Sequence, residues 1–189
     1  MSTSPSVDEN RTAAEPVAEP IVESTAAEQI FVRAAYDDPL GAPLLEDLER
    51  EYDRRYGDVH KEPAVTEILR YPPDAFAPPT GAFILLLEGE TPISGGAFMR
   101  YDDTTAEFKR IWTDADRRGH GLAGRVLVEL ETEAVRLGYS RIYLTTGPRQ
   151  PEAVRLYLRN GYTPLFDLSL TSEEIGIHPF EKDLGTAPH

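Results

Sequence analysis

The chain has 189 residues, 40% hydrophobic and 28% charged, enough for one domain with a real core and short of a comfortable two. A formal net charge of −14, from 33 acids against 19 Lys and Arg, argues against a nucleic-acid partner, because phosphate backbones need a basic face. The absence of cysteine excludes disulfides, thiolate metal sites and a cysteine nucleophile. His60, His120, His178 and His189 show no metal-ligand spacing, so no metal is expected. There is no apolar run of about 18 residues and no basic region followed by an apolar core at the amino terminus, so neither a membrane span nor a signal peptide is predicted, and the cytoplasm is the expected location.

Residues 1–28 are built from Ser, Thr, Ala, Glu and Pro with almost no large apolar side chain, and cannot bury enough surface to offset their ordering entropy. They are expected to form a disordered acidic tail before a domain over 29–189. Residues 1–29 hold six acids against Arg11, which leaves 27 acids against 18 basic residues in the rest, so the body is acidic as well. Such a surface steers cationic amines weakly and aids solubility.

The stretch "QIFVRAAY" (Gln29–Tyr36) alternates as a half-buried strand does, and "DDP" turns the chain into a helix in which Leu44, Leu45, Leu48 and Tyr52 recur at helical spacing up to Gly57. His60 to Pro79 is broken by prolines into a short helical turn and a loop. "GAFILLLEGETPISGGAFMRYD" reads as a hairpin with strands near Ala82–Glu88 and Ile93–Tyr101, and "AEFKRIWT" (Ala106–Thr113) adds a third strand to the meander. Leu122, Val126, Leu130, Ala134 and Leu137 then share one helix face up to Gly138. "RIYLTT" is a strand, "PEAVRLYLRNG" a helix with proline in its first turn, and "YTPLFDL" and "HPFEKDL" the last two strands. This order predicts a single mixed α/β sheet, mostly antiparallel and flanked by helices.

Between the meander and the long helix lies "RRGHGLAG", where Gly119, Gly121 and Gly124 fit the dinucleotide pattern G-x-G-x-x-G. Glycines at a helix threshold free backbone N–H groups to face an anion, with the helix dipole in support. A dinucleotide fold needs an acid at the end of the next strand to hold the ribose, but that strand ends "YLTTG". A P-loop needs Gly-Lys-Ser/Thr after the glycines, and none follows.

The surrounding residues resemble the GNAT superfamily of N-acetyltransferases. Arg118, Gly121 and Ala123 supply the family's Arg/Gln-x-x-Gly-x-Gly/Ala pattern. "EFKRIWTDADRRGHGLA" is similar to its fourth strand and turn, "TTGPRQPEAVRLYLRNGY" to the next strand and helix, and "FEKDL" to the closing strand. Together these cover roughly Gly81 to Leu184, and their co-occurrence in order is far more specific than one glycine motif. The resemblance implies the GNAT acyltransferase fold and acetyl-coenzyme A as cosubstrate. Backbone N–H groups of Arg118, Gly119, His120, Gly121, Leu122, Ala123 and Gly124 would cradle the pyrophosphate. The pantetheine arm would lie along Ile111, Trp112 and Thr113 like an added strand, where the fourth and fifth strands splay. Where many members carry Asn before the second motif helix, this chain has Gln150, a further cofactor-loop position.

The resemblance also implies an amine acceptor, attacking directly in a ternary complex. Tyr157 falls at the family's general-acid position beside the sulfur, with a core tyrosine as the plainer reading. Glu107 is a candidate base, or else a carboxylate paired with Lys109 or Arg110. Asp114 and Asp116 read as turn residues, His120 as a loop residue and the Trp112 ring as core packing. Tyr52, Arg55 and Tyr56 would line the acceptor side, unless they are core. A primary amine on a small molecule, amino acid or drug is favoured over a protein, and a homodimer is compatible with the sequence. The alternative is a non-catalytic module that binds coenzyme A for regulation.

Overall fold

The computed structural model describes residues 28–58 and 64–185, so the expectation of a disordered tail lies, apart from Glu28, outside the described residues. In chain order the elements are β1 (Gln29–Ala34), α1 (Ala42–Tyr56), α2 (Ala64–Ile68), β2 (Ala82–Glu88), β3 (Thr91–Arg100), β4 (Thr105–Thr113) and α3 (Leu122–Arg136). There follow β5 (Arg141–Thr146), α4 (Pro151–Arg159), β6 (Thr163–Pro164), α5 (Ser172–Ile175) and β7 (His178–Asp183). The strands make one seven-stranded sheet in the order β1-β2-β3-β4-β5-β7-β6, antiparallel except where β4 meets β5.

Helices cover both faces, which is why the apolar run "AFILLLE" of β2 is buried nearly throughout rather than on alternate residues. On one face Ile84, Phe98, Phe108, Leu144 and Phe180 pack against Val126, Leu127 and Leu130 of α3 and Tyr157 of α4. On the other, Phe83, Leu85, Ala97 and Trp112 meet Leu44 and Leu48 of α1 and Ile68 of α2. Tyr36 stacks there on Phe76 with ring centroids 4.4 Å apart. Gly95 and Gly96 let both layers close on β3: an added Cβ would stand 2.9 Å from Leu44 Cδ1 at the first and 2.9 Å from Leu130 Cδ1 at the second.

β4 breaks strict alternation once. Phe108 and Ile111 both pack on the α3 side, while Lys109, over the Tyr71 ring, and Trp112 both face the α1 side. Residues three apart share a face only if an extra residue intervenes, and the register with β3 indeed jumps between Gly95–Trp112 and Ala97–Lys109. The bulge holds Arg110, at φ 61° the only non-glycine residue with positive φ among the described residues.

The predicted strand over "YTPLFDL" is far shorter than expected. Only Thr163 and Pro164 pair with β7, after which the Asp167 carboxylate accepts the Ser169 N–H at 2.8 Å and turns the chain. The next helix, α5, starts on a capping box in which Thr171 and Glu174 cap each other.

Candidate active site

The β4–β5 ladder runs only from the Thr105–Arg141 pair to the Phe108–Leu144 pair. Beyond it β4 continues to Thr113 and β5 to Thr146 without pairing to each other, so two strand edges face a gap. On β4 the Trp112 carbonyl accepts the Ser94 hydroxyl at 2.6 Å and the Asp114 N–H donates to Ile93 at 3.0 Å, so both groups point toward β3. Alternation then turns the N–H and C=O of Ile111 and Thr113 to the open edge. Trp112 departs from the expectation of a cofactor-edge residue: its carbonyl is engaged by β3, its ring is buried, and its Nε1 donates to Asp47 at 3.0 Å.

Immediately past the gap the chain enters the glycine turn. Gly119 and Gly121 have φ of 83° and 75°, where L side chains are strained, yet an added Cβ would meet no atom within 4 Å. The glycines thus answer a backbone requirement and leave the outer side of the turn open. Gly121 is the N-cap of α3 and no side chain caps that helix, so the N–H groups of Leu122, Ala123 and Gly124 point outward without intrahelical acceptors. With the positive end of the dipole behind them, these donors suit a phosphorylated ligand. The exposed His120 ring folds back on the turn: Nδ1 lies 3.2 and 3.0 Å from the Arg117 and Arg118 carbonyls, to which it donates, bracing the turn. Arg118 donates to Glu51 on α1 at 2.8 Å and to the Thr113 carbonyl at 3.3 Å, and Arg117 pairs with Glu88. A shallow cavity of about 450 Å³ starts at this turn and follows α3, lined by Phe31, Gly121, Gly124, Arg125, Val128 and Asn160. It lies beside the helix start, not inside the gap.

Tyr157 is buried in α4, its ring centroid 5.6 Å from Tyr162 and 5.4 Å from Phe180. Burial, together with the neighbouring Tyr52, raises its phenol above the ordinary range, so it holds its proton at neutral pH. Tyr52 packs from the α1 side, its pKa also raised by burial against an opposing pull from Arg110.

Glu107 is not open: its carboxylate accepts Lys109 Nζ at 2.7 Å, and both side chains are largely buried. Arg55 and Tyr56 depart from acceptor lining. Arg55 pairs with Glu51 at 2.6 Å and with Glu152 at the start of α4, and donates to the Arg149 carbonyl. The Tyr56 hydroxyl accepts the Arg149 N–H at 3.2 Å. Both side chains fasten α1 to the β5–α4 loop. Within that loop the Gln150 side-chain oxygen accepts the Gly147 N–H at 3.1 Å and the Thr146 hydroxyl at 2.9 Å, so it shapes the turn from inside.

Residues 45–162 match the acetyltransferase (GNAT) family. The chain belongs to this family. An IAA acetyltransferase of Azospirillum brasilense is similar to this GNAT chain, 29% identical over 132 residues that span 69% of it and 84% of that protein. Among solved structures, an acetyltransferase from Streptococcus agalactiae is similar in fold, with a TM-score of 0.64 and 20% identity over 82% of this chain and 98% of the other. So is YncA of Salmonella typhimurium, determined with its cofactor acetyl-CoA, at a TM-score of 0.60 and 14% identity over 86% of this chain and 98% of that one.

Among the described residues of this GNAT protein no helix is long and apolar enough to cross a membrane, and no three His, Cys, Asp or Glu side chains are grouped to hold a metal. Glu51, which joins Arg118 to Arg55, and Arg110, the bulge residue, are the features of the site that the sequence reading missed. The turn glycines and Tyr157 are visible in the motif spacing, and the pairing of Glu51 with Arg55 one helix turn on follows a local pattern, whereas its contact with Arg118, 67 residues away, does not.

Proposed function

We propose that this GNAT protein transfers the acetyl group of acetyl-coenzyme A to a small primary amine, by direct attack in a ternary complex. The observation that carries the reading is the parting of β4 from β5 directly beside the uncapped start of α3. A ligand with a pyrophosphate and a peptide-like arm matches that sequence of donors: N–H groups of Gly119 to Gly124 for the phosphates, then the open edge of Ile111 and Thr113 for the amides, as in strand addition. YncA, with its bound acetyl-CoA, supports the choice of cofactor. Arg118 already stands at the turn and would exchange part of its contact with Glu51 for the phosphates.

In the reaction the amine nitrogen bonds to the thioester carbonyl carbon, the carbonyl oxygen takes up negative charge, and the C–S bond then breaks. The Ile111 N–H on the open edge would stabilise that oxygen. A lysine-like amine, with a pKa of about 10, must lose a proton before it attacks, and Glu107 is the proposed acceptor, through water, with Lys109 orienting its carboxylate. As the C–S bond breaks, the departing sulfur takes the proton of the Tyr157 hydroxyl, which burial keeps protonated at neutral pH, and the second proton shed by the nitrogen as it becomes an amide passes back to the phenol oxygen, so that the enzyme is restored. Tyr52 borders the acceptor on the α1 side. With no cysteine in the chain, no cysteinyl acyl-enzyme precedes transfer.

The test is thiol release from acetyl-CoA over a panel of polyamines, amino acids, aminoglycosides and lysine peptides, for the parent, Tyr157→Phe and Glu107→Gln. Acceptor-dependent release that falls in both variants supports transfer and both proton roles. Coenzyme A binding by calorimetry with a silent panel would replace the enzyme by a regulatory binding module. Absence of binding would overturn the reading.

A further inference from the structure

Arg110 combines two unusual properties in one residue. Its backbone adopts φ 61°, a region that glycine, asparagine and aspartate favour. Its guanidinium is only 3% exposed and lies under the acceptor side of the sheet. Nε donates to the Tyr36 hydroxyl at 3.1 Å, and Nη2 donates to the Glu67 carbonyl at 2.6 Å and the Ile68 carbonyl at 3.4 Å. Those carbonyls end α2, where the helix dipole is negative, and the Glu67 carboxylate stands 3.9 Å from Nη1. The buried charge is therefore matched by this chain's own groups, and its donors are committed inward rather than offered to a substrate.

We infer that Arg110 is a positioning residue that sets the separation between the acyl-receiving edge of β4 and the wall that holds the acceptor. The backbone half of the role follows from the bulge: by inserting one residue it rephases β4, so that Ile111 and Thr113, and not Trp112, turn their N–H groups to the gap. The side-chain half follows from the clamp on α2. That helix reaches the sheet through Ile68, and Tyr52, its neighbour on the same face, is influenced by Arg110 and Glu67 together. An ordinary strand residue could do one of these things. Only a long cationic side chain placed on the bulge does both.

This inference rests on the proposed transfer reaction and predicts a split between variants. Arg110→Gly keeps the positive φ without strain and removes the clamp; Arg110→Ala removes the clamp and also strains the bulge; Arg110→Asn tolerates the same φ and serves if the alanine variant does not fold. Calorimetry with coenzyme A, steady-state transfer to the best amine of the panel, and hydrogen exchange over residues 64–70 are measured for each. In Arg110→Gly coenzyme A affinity should stay within about twofold and kcat within about threefold of the parent, while the acceptor KM rises about tenfold or more. Exchange over residues 64–70 should accelerate. In Arg110→Ala kcat should fall a further tenfold or so, since small misplacements of reacting groups carry large penalties. An unchanged acceptor KM and unchanged exchange in Arg110→Gly would overturn the clamp. Equal kcat in the glycine and alanine variants would overturn the backbone half; if the alanine variant does not fold, a kcat in Arg110→Asn about tenfold below that of Arg110→Gly would do the same, since both residues accept this φ. Loss of coenzyme A binding in the parent would instead refute the proposed reaction and leave the exchange result to judge the clamp.

Discussion

Glu133 offers a quantitative test of how α3, and with it the glycine turn, is held on the sheet. Its carboxylate is fully buried, yet it sits between Arg33 of β1 at 2.6 Å and Arg136 one turn along α3 at 2.6 Å. Hydrogen bonds from Arg136 and then Arg33 lower its pKa from 4.5 to about 2, against the opposing effect of burial. Because the folded pKa lies below the unfolded one, the carboxylate stabilises the fold fully above about pH 5, and the contribution fades as pH falls from there toward 2. A pH unit of pKa difference corresponds to about 1.4 kcal/mol, giving about 3 kcal/mol, which the half-exposed arginines reduce by solvent screening to about 2. Glu133→Gln should therefore lower the unfolding free energy by about 2 kcal/mol at pH 7, read from urea titrations at matched slope. The same titrations from pH 7 to pH 3 should show parent and variant converging. A constant difference between them down to pH 3 would show that the loss comes from packing of the amide and not from the ion pair.

Three further outcomes probe the site. Tyr157→Phe should lower kcat about 10²-fold with coenzyme A affinity unchanged by calorimetry, because only the proton donor is lost; a loss confined to affinity would reassign the residue to packing. Gly121→Ala places a side chain at φ 75° where nothing obstructs it, so it should cost about 1 kcal/mol through strain alone and weaken coenzyme A binding, with Gly121→Asn recovering part of both. Glu51→Gln frees Arg118 from a competing carboxylate and should tighten coenzyme A binding up to about fivefold, the scale of an exposed ion pair; weaker binding would mean that Glu51 orients Arg118 usefully.

Much of this architecture is legible in the sequence. β5 spans the residues that "RIYLTT" names, and the α3 face of Leu122, Val126, Leu130 and Ala134 is buried as its period requires. Errors arose where long-range pairing overrides local pattern. "YTPLFDL" has the composition of a strand but lies at the sheet's edge, where Pro164 can donate no ladder bond and Asp167 turns the chain away. Arg55 and Tyr56 look like cleft residues on a helical repeat, yet their partners are Arg149 and Glu152, almost a hundred residues later. Arg110 gave no signal at all, since positive φ is announced by glycine and asparagine and not by arginine. The Glu107–Lys109 pair, by contrast, was readable, because residues two apart on a strand share a face.

The parallel contact between β4 and β5 divides the chain like the spine of a book. One cover, β1 through α3, carries the turn glycines, the open strand edge and the α1–α2 wall; the other, β5 through β7, brings Tyr157. At the fore-edge, away from the four paired residues of the spine, Arg55 and Tyr56 act as a clasp on the loop that leads into α4. The covers are bound together along their inner side as well, because Leu144, Tyr157 and Phe180 share one apolar core with Ile84, Phe98 and α3, and Lys182 pairs with Glu131 of α3 at 2.8 Å. Core and clasp thus fix the place of Tyr157 relative to the open edge from two sides.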